Sequence, residues 1–261
     1  MPVDTLAGVN SAGSVGVVNV SLDEEATNSL LHHAGKAYNT SVEEALLTAL
    51  KDAYEQWTGH SRLLVDVEGH GREELEDGID VTRTVGWFTS IYPVLLDQQP
   101  EGNIGARLAA VKEELRKVKR SGLGYGMLRY LGNESERLKQ LPEAEIIFLY
   151  LGQLDRVIGA DGDFTVAAES AGESRSGRGR RKHLLEISSA VTGGRLEISW
   201  NYSTNVHNRA TIEKLALDQL EFLRELIAHC QSPNERGYTP SDFPEVNLSQ
   251  AELDALIAKL G

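Results

Sequence analysis

Leu63-Leu64-Val65-Asp66-Val67-Glu68-Gly69-His70-Gly71-Arg72-Glu73 is an apolar run of strand type that breaks open at its charged end. Two glycines flank His70, so the backbone there can take turns closed to other residues and let another group approach closely. Glu68, His70 and Arg72 bring a carboxylate, an imidazole and a guanidinium to one strand end, a set suited to moving protons. The competing reading is a strand-terminating turn with solvated charges, and the pattern alone favours the turn.

Upstream, residues 15–22 alternate loosely and are rich in valine, which predicts a strand. Ser21-Leu22-Asp23-Glu24 has capping-box spacing and opens a helix to about residue 37. Residues 40–57 form a second helix, with Val42, Ala45, Leu46, Ala49, Leu50, Ala53 and Trp57 on one buried stripe. Downstream, residues 85–96 read as a strand interrupted near Ser90. Residues 104–119 read as an amphipathic helix with Leu108, Val111 and Leu115 inward and Lys112, Glu113, Arg116 and Lys117 outward. Gly122-Leu123-Gly124-Tyr125-Gly126 reads as a loop after that helix, either an inter-helix turn or a loop close to a substrate arm. Residues 146–151, between Pro142 and Gly152, form an apolar run typical of a central strand. Residues 184–191 and 196–202 make an antiparallel hairpin turned by Gly193-Gly194. A long helix over 211–230, a Pro-containing turn at 238–243 and a helix capped at Ser249 complete the chain. Strands alternating with helices, with a late hairpin, predict an α/β layered domain with a mixed β-sheet and flanking helices, spanning 1–261 as one domain. Residues 169–182 carry three glycines and five basic residues. They could bind a phosphate or an acidic surface, but read more simply as a mobile loop.

Several stretches in order, EGHGRE (68–73), RTVGWFTSIYP (83–93), GLGYG (122–126), FLYLGQ (148–153) and YTPSDF (238–243), resemble the signature of nonribosomal peptide synthetase epimerization domains, relatives of the condensation domains. The family's domain is about twice this length and has two lobes, and this chain resembles the C-terminal lobe. The resemblance implies one lobe of the chloramphenicol acetyltransferase-like condensation/epimerization fold. His32 and His33 do not match the family's catalytic histidine pair, because Ala37 stands where its aspartate would be, and they read as helix-surface residues.

The implied activity is inversion at Cα of an L-aminoacyl or peptidyl thioester held on the phosphopantetheine arm of a peptidyl carrier protein, with no cofactor of its own. The resemblance places the catalytic glutamate at Glu68 and a site-lining hydroxyl at Tyr150, with His70 a further acid-base candidate. A free glutamate is a weak base toward such a carbon acid, and burial would strengthen it. Arg72, Trp87, Gly124, Tyr125 and Gln153 are the substrate-binding candidates. Arg72 is also readable as an ion-pair partner of the acidic segment that follows it, and Trp87 as a tunnel wall. Leu149 stands where the family has asparagine before the tyrosine. The second acid-base group, a histidine, belongs to the N-terminal lobe of the same domain, which makes that lobe an expected partner and the lone chain inactive. Two other readings remain: a condensation-type lobe forming peptide bonds, which the wording RTVGWFT disfavours, and a non-catalytic lobe that docks a carrier protein.

Composition narrows the alternatives. The net charge of −13 over 261 residues argues against nucleic acid. Cys230, the single cysteine, excludes an internal disulfide or a cysteine-based metal cluster and sits in a helical apolar pattern, as a buried residue would. No apolar run reaches the ~20 residues a membrane span needs. No metal-ligand spacing appears, and the absence of a signal-like N-terminus makes the cytoplasm the expected location.

Overall fold

The computed structural model describes residues 1–72, 80–97, 103–154, 169, 172, 176–232, 237–246 and 248–260. Its elements are, in order, β1 (Val15–Ser21), α1 (Glu24–Ser29), a π-helical turn (Leu30–Ala34), α2 (Gly35–Tyr38), α3 (Val42–Thr58), β2 (Arg62–Gly69), β3 (Ser90–Asp97), α4 (Ile104–Tyr130), α5 (Ser135–Lys139), β4 (Ile146–Gln153), β5 (Leu185–Thr192), β6 (Arg195–Ser203), α6 (Arg209–Gln231) and α7 (Gln250–Leu260). The strands form one mixed sheet in the order β1-β6-β5-β4-β2-β3. β4 runs parallel to both β2 and β5, and the other pairs are antiparallel. This is the layered α/β arrangement expected, with the 146–151 run at its centre and Gly193-Gly194 turning the β5–β6 hairpin.

Alternation in the strands divides the sheet into two faces. Leu63, Val65 and Val67 of β2, Phe148 of β4, Ile187 of β5 and Trp200 of β6 are buried in the core with Leu46 and Leu50 of α3 and Leu215 and Leu223 of α6. Trp200 Nε1 donates to Gln219 Oε1 at 3.1 Å, so the largest core side chain is buried without an orphaned donor. The alternate positions Ile91 and Leu95 of edge strand β3 and Val15 and Val17 of edge strand β1 stay exposed. Pro93 is tolerated inside β3 because an edge strand has one side free of ladder bonds.

Several local expectations are corrected. The first helix is capped by Asp23, whose Oδ1 accepts from Ala26 N–H at 2.8 Å, while Ser21 still belongs to β1. That helix is also broken by the π turn at Leu30–Ala34, within which His32 and His33 are exposed as expected. Ser41 caps α3 in a complete capping box with Glu44. β3 begins at Ser90, so residues 85–89 are not strand. The glycine-rich stretch 122–126 is not a loop, because α4 runs through it to Tyr130. A Cβ on Gly122 would lie 2.5 Å from the Tyr92 ring, so this glycine serves close packing of α4 on β3.

Lys112 and Arg116 do not point outward. Lys112 is fully buried, donating to Asp242 Oδ2 and Tyr38 O at 2.6 Å each, and Arg116 reaches Asp242 and Glu44. Residues 238–243 are thereby pinned to α4. Cys230 is buried, as its pattern implied.

Of the 169–182 stretch expected to be a mobile loop, residues 169, 172 and 176–182 are described, and the last of these make defined contacts. Ala12 and Gly13 donate to Gly179 O and Gly177 O at 2.8 Å, and Arg181 is buried, donating to Asn201 O at 2.9 Å and paired with Glu186. Residues 170, 171 and 173–175 lie outside the described residues. Trypsin is expected to cut after the exposed Arg178 or Arg180 and to spare Arg181. First cleavage after Arg181 would show that its bonds do not hold this segment.

Candidate functional site

β2 and β4 run side by side and parallel, with Val67 opposite Phe148, so both deliver their C-terminal ends to the same edge of the sheet. Glu68 is the penultimate residue of β2, and Tyr150 lies near the end of β4. They share a cleft of about 640 Å³ with His70, Thr89, Tyr92 and Gln153. The opposite wall comes from the π turn and the start of α3, through Leu31, Ser41, Val42 and Glu43. Both titratable groups feel the partial removal of water. Burial pushes the Glu68 carboxyl above the usual glutamate range and the Tyr150 phenol above the usual tyrosine range. A carboxylate so placed is a stronger base than one in water, and a phenol so placed stays protonated as a hydrogen-bond donor.

Past the strand, the chain turns sharply. Gly71 has φ +66°, and a Cβ there would fall 1.6 Å from Phe88 O, so only glycine allows the two loops to touch. His70 lies exposed at the cleft rim, its Nδ1 accepting from Arg72 N–H at 3.0 Å. Arg72 donates to the carbonyls of Val81 at 2.5 Å, Thr84 at 2.9 Å and Gly86 at 3.4 Å, and stacks 4.3 Å over the Phe88 ring. It organises the loop 81–88 instead of facing the cleft. Of the acidic residues expected to pair with it, Glu73, Glu74, Glu76 and Asp77 lie outside the described residues, and Asp80 accepts from Thr82 N–H at 2.9 Å.

The remaining candidates scatter. Trp87 is 88% exposed and borders a second cleft, about 530 Å³, beside Glu68, Thr89 and Arg180. Tyr125 sits on α4 and lines a third cleft with Phe88 and Arg129, accepting from Arg129 Nη1 at 3.1 Å. Gly124 is mid-helix with open space where a side chain would go. Neither residue reaches the Glu68 cleft. Gln153 does reach it, by way of an irregularity in β4: Tyr150 aligns with Ser189 but Gln153 with Val191, so β4 carries one extra residue against β5. Leu149 lines both the Glu68 cleft and the second one.

Sequence reasoning missed two parts of this region. The first is the apolar wall of Leu31 and Val42. The second is a cluster in which the buried Asp66 accepts from Nζ of the exposed Lys182 at 2.8 Å and lies 2.7 Å from Nε2 of the buried His183. Burial works against the Asp66 charge, but these hydrogen bonds outweigh it and hold the carboxyl below the usual range. Only the alternation that turns Asp66 to the same face as Glu68 hints at it, and nothing local points to residues 182 and 183. Among the described residues no His, Cys, Asp and Glu group is placed to hold a metal, and no helix is long and apolar enough to cross a membrane.

A family model for the condensation domain matches residues 10–248. The chain is 45% identical to one of the linear gramicidin synthase proteins of Brevibacillus parabrevis over 96% of its own length but only 3% of that protein. It is 42% identical to a chondramide synthase of Chondromyces crocatus, of which it spans 7%. Among solved structures it resembles the epimerization domain from the third module of tyrocidine synthetase B, with a TM-score of 0.79 and 34% identity over 88% of this chain and 51% of that one. The X-domain from teicoplanin biosynthesis, at 17% identity and a TM-score of 0.65, shares the fold. The chain thus spans about half the length of these solved domains and a small part of the curated relatives.

Proposed function

The chain belongs to the condensation-domain family of the nonribosomal peptide synthetases, and from that premise we propose that it is the C-terminal lobe of an epimerization domain. The substrate is an L-aminoacyl or peptidyl thioester on the phosphopantetheine arm of a peptidyl carrier protein, and the product is its D epimer. One observation carries the reading: the burial-raised Glu68 carboxyl opens into the same cleft as Tyr150, in a chain 34% identical to a solved epimerization domain.

In this mechanism Glu68 removes the Cα proton, and the C–H electron pair moves into the thioester carbonyl to give an enolate. A proton then returns from the opposite face, donated by a histidine of the N-terminal lobe. No cofactor of the lobe's own takes part, so positioning, burial and oxyanion stabilisation supply the catalysis. The partners are the carrier protein and the N-terminal lobe. Nucleic acid is not among them, given the charge of −13.

The test is deuterium incorporation at Cα of a carrier-bound L-aminoacyl thioester in deuterated water. Joined to its histidine-bearing lobe, the chain is expected to give deuterated substrate and D product, and alone to give neither above the uncatalysed rate, because members of one catalytic set act together. Turnover by the lone chain would overturn the division of the site between two lobes. No exchange from the joined domain would overturn the epimerase reading in favour of a docking or condensation role.

A further inference from the structure

We propose that Tyr150 and Gln153 form the hydrogen-bonding pair that holds the thioester carbonyl oxygen as it becomes the enolate oxygen, and that a one-residue bulge at Gly152 puts them on the same face. The inference rests on the epimerase reading and adds to it an oxyanion site and the residue that builds it.

The geometry begins with parity. In a regular strand, residues an odd number apart face opposite sides, so Gln153 should face away from Tyr150. It does not. Tyr150 aligns with Ser189 and Gln153 with Val191, both buried, so the three steps of β4 match only two of β5. The extra residue is absorbed at Gly152, which has φ +78°, a conformation in which most side chains are strained. A Cβ at Gly152 would meet nothing within 4 Å, so the glycine is required by backbone conformation and not by crowding. The result is that Tyr150 and Gln153 line one cleft with Glu68.

The chemistry fits that pair. As Glu68 takes the Cα proton, the released electron pair moves onto the carbonyl oxygen, which then needs donors. Burial keeps the Tyr150 phenol protonated, and a carboxamide N–H is a donor that cannot itself take up the proton. Reprotonation at Cα from the other face returns the electron pair to the C–H bond and leaves both donors unchanged.

The experiment uses the chain joined to its histidine-bearing lobe and follows Cα deuteration of a leucyl carrier protein. Gln153→Ala is expected to lower kcat by about 10²-fold with KM near the parental value, as loss of one oxyanion donor does. Gly152→Val, which disfavours positive φ, should show the same defect, whereas Gly152→Asn, which tolerates it, should keep most of the rate. A raised KM with kcat intact in Gln153→Ala, or a parental rate in Gly152→Val, would overturn the proposal. If Gly152→Val fails to fold, Gln153→Ala and Gly152→Asn decide, an inactive but folded Asn variant counting against the bulge. Glu68→Gln is run alongside. If the parental joined domain gives no exchange, the epimerase reading itself has failed; if it exchanges and Glu68→Gln alone is dead, only the oxyanion assignment has.

Discussion

Glu68→Gln, in the chain joined to its histidine-bearing lobe, is expected to lose Cα exchange by about 10²–10⁴-fold, the contribution typical of a positioned general base. Glutamine preserves the shape of the strand end and can still hydrogen-bond, but it cannot accept a proton. Folding should not suffer. Burial raises the Glu68 carboxyl, so the folded state holds that proton more tightly than the unfolded chain does. Stability then falls as pH rises through the raised value, and an uncharged side chain removes that penalty at neutral pH. The melting temperature of Glu68→Gln should accordingly match or slightly exceed the parental one. The parental rate should climb with pH through a value above the ordinary glutamate range of about 4.3, and this acid limb should vanish in the variant. Exchange persisting near the parental rate would make Glu68 a structural turn residue and move the base to His70 or Tyr150.

What the sequence made legible, and what it hid, divides by the distance over which the information acts. β2 and its glycine-softened end could be read because strand alternation and the flanking glycines are local. The β5–β6 hairpin was equally legible, its turn written in two adjacent glycines. Gly122 was misread as a loop because its reason is the ring of Tyr92, an aromatic on another element. Arg72 likewise gains partners from beyond its neighbourhood that the sequence did not suggest: the folded chain brings it three carbonyls and an aromatic face. In the candidate site, the ordered motifs located Glu68, Tyr150 and Gln153, which meet in one cleft. Gly124 and Tyr125 belong to an equally clear motif yet lie elsewhere, because a motif records that a segment matters and not which surface it serves. The wall formed by Leu31 and Val42 was invisible, since it depends on a π turn and a helix start packing against strand ends from other parts of the chain.

The other large effect concerns Lys112, whose outward reading failed for the same reason: its partner is 130 residues away. Lys112 is fully buried and Asp242 nearly so, and the pair joins α4 to the 238–243 segment. Burial works against the Asp242 charge, but hydrogen bonds from Lys112, Thr239 N–H and Asn39 outweigh it and hold the carboxyl below the usual range. Removing one member of a buried pair typically costs about 3–5 kcal/mol, because the other is left charged and out of water. Lys112→Met keeps the chain's bulk while leaving Arg116, Asn39 and Thr239 on Asp242, so a loss of about 3 kcal/mol is expected. Denaturant unfolding should show this as a lower midpoint with an unchanged slope. Asp242→Leu should cost more, since it strands both Lys112 and Arg116. The pH dependence carries a fixed sign. A carboxyl depressed in the folded state stabilises above its unfolded value of about 3.9 and loses that stabilisation as pH falls through the folded value. The gap between the parental chain and Lys112→Met should therefore hold from neutral pH to about pH 5 and close below about pH 4. A gap that is absent at neutral pH would mean that α4 and the 238–243 segment are held together by packing, with the ion pair contributing little.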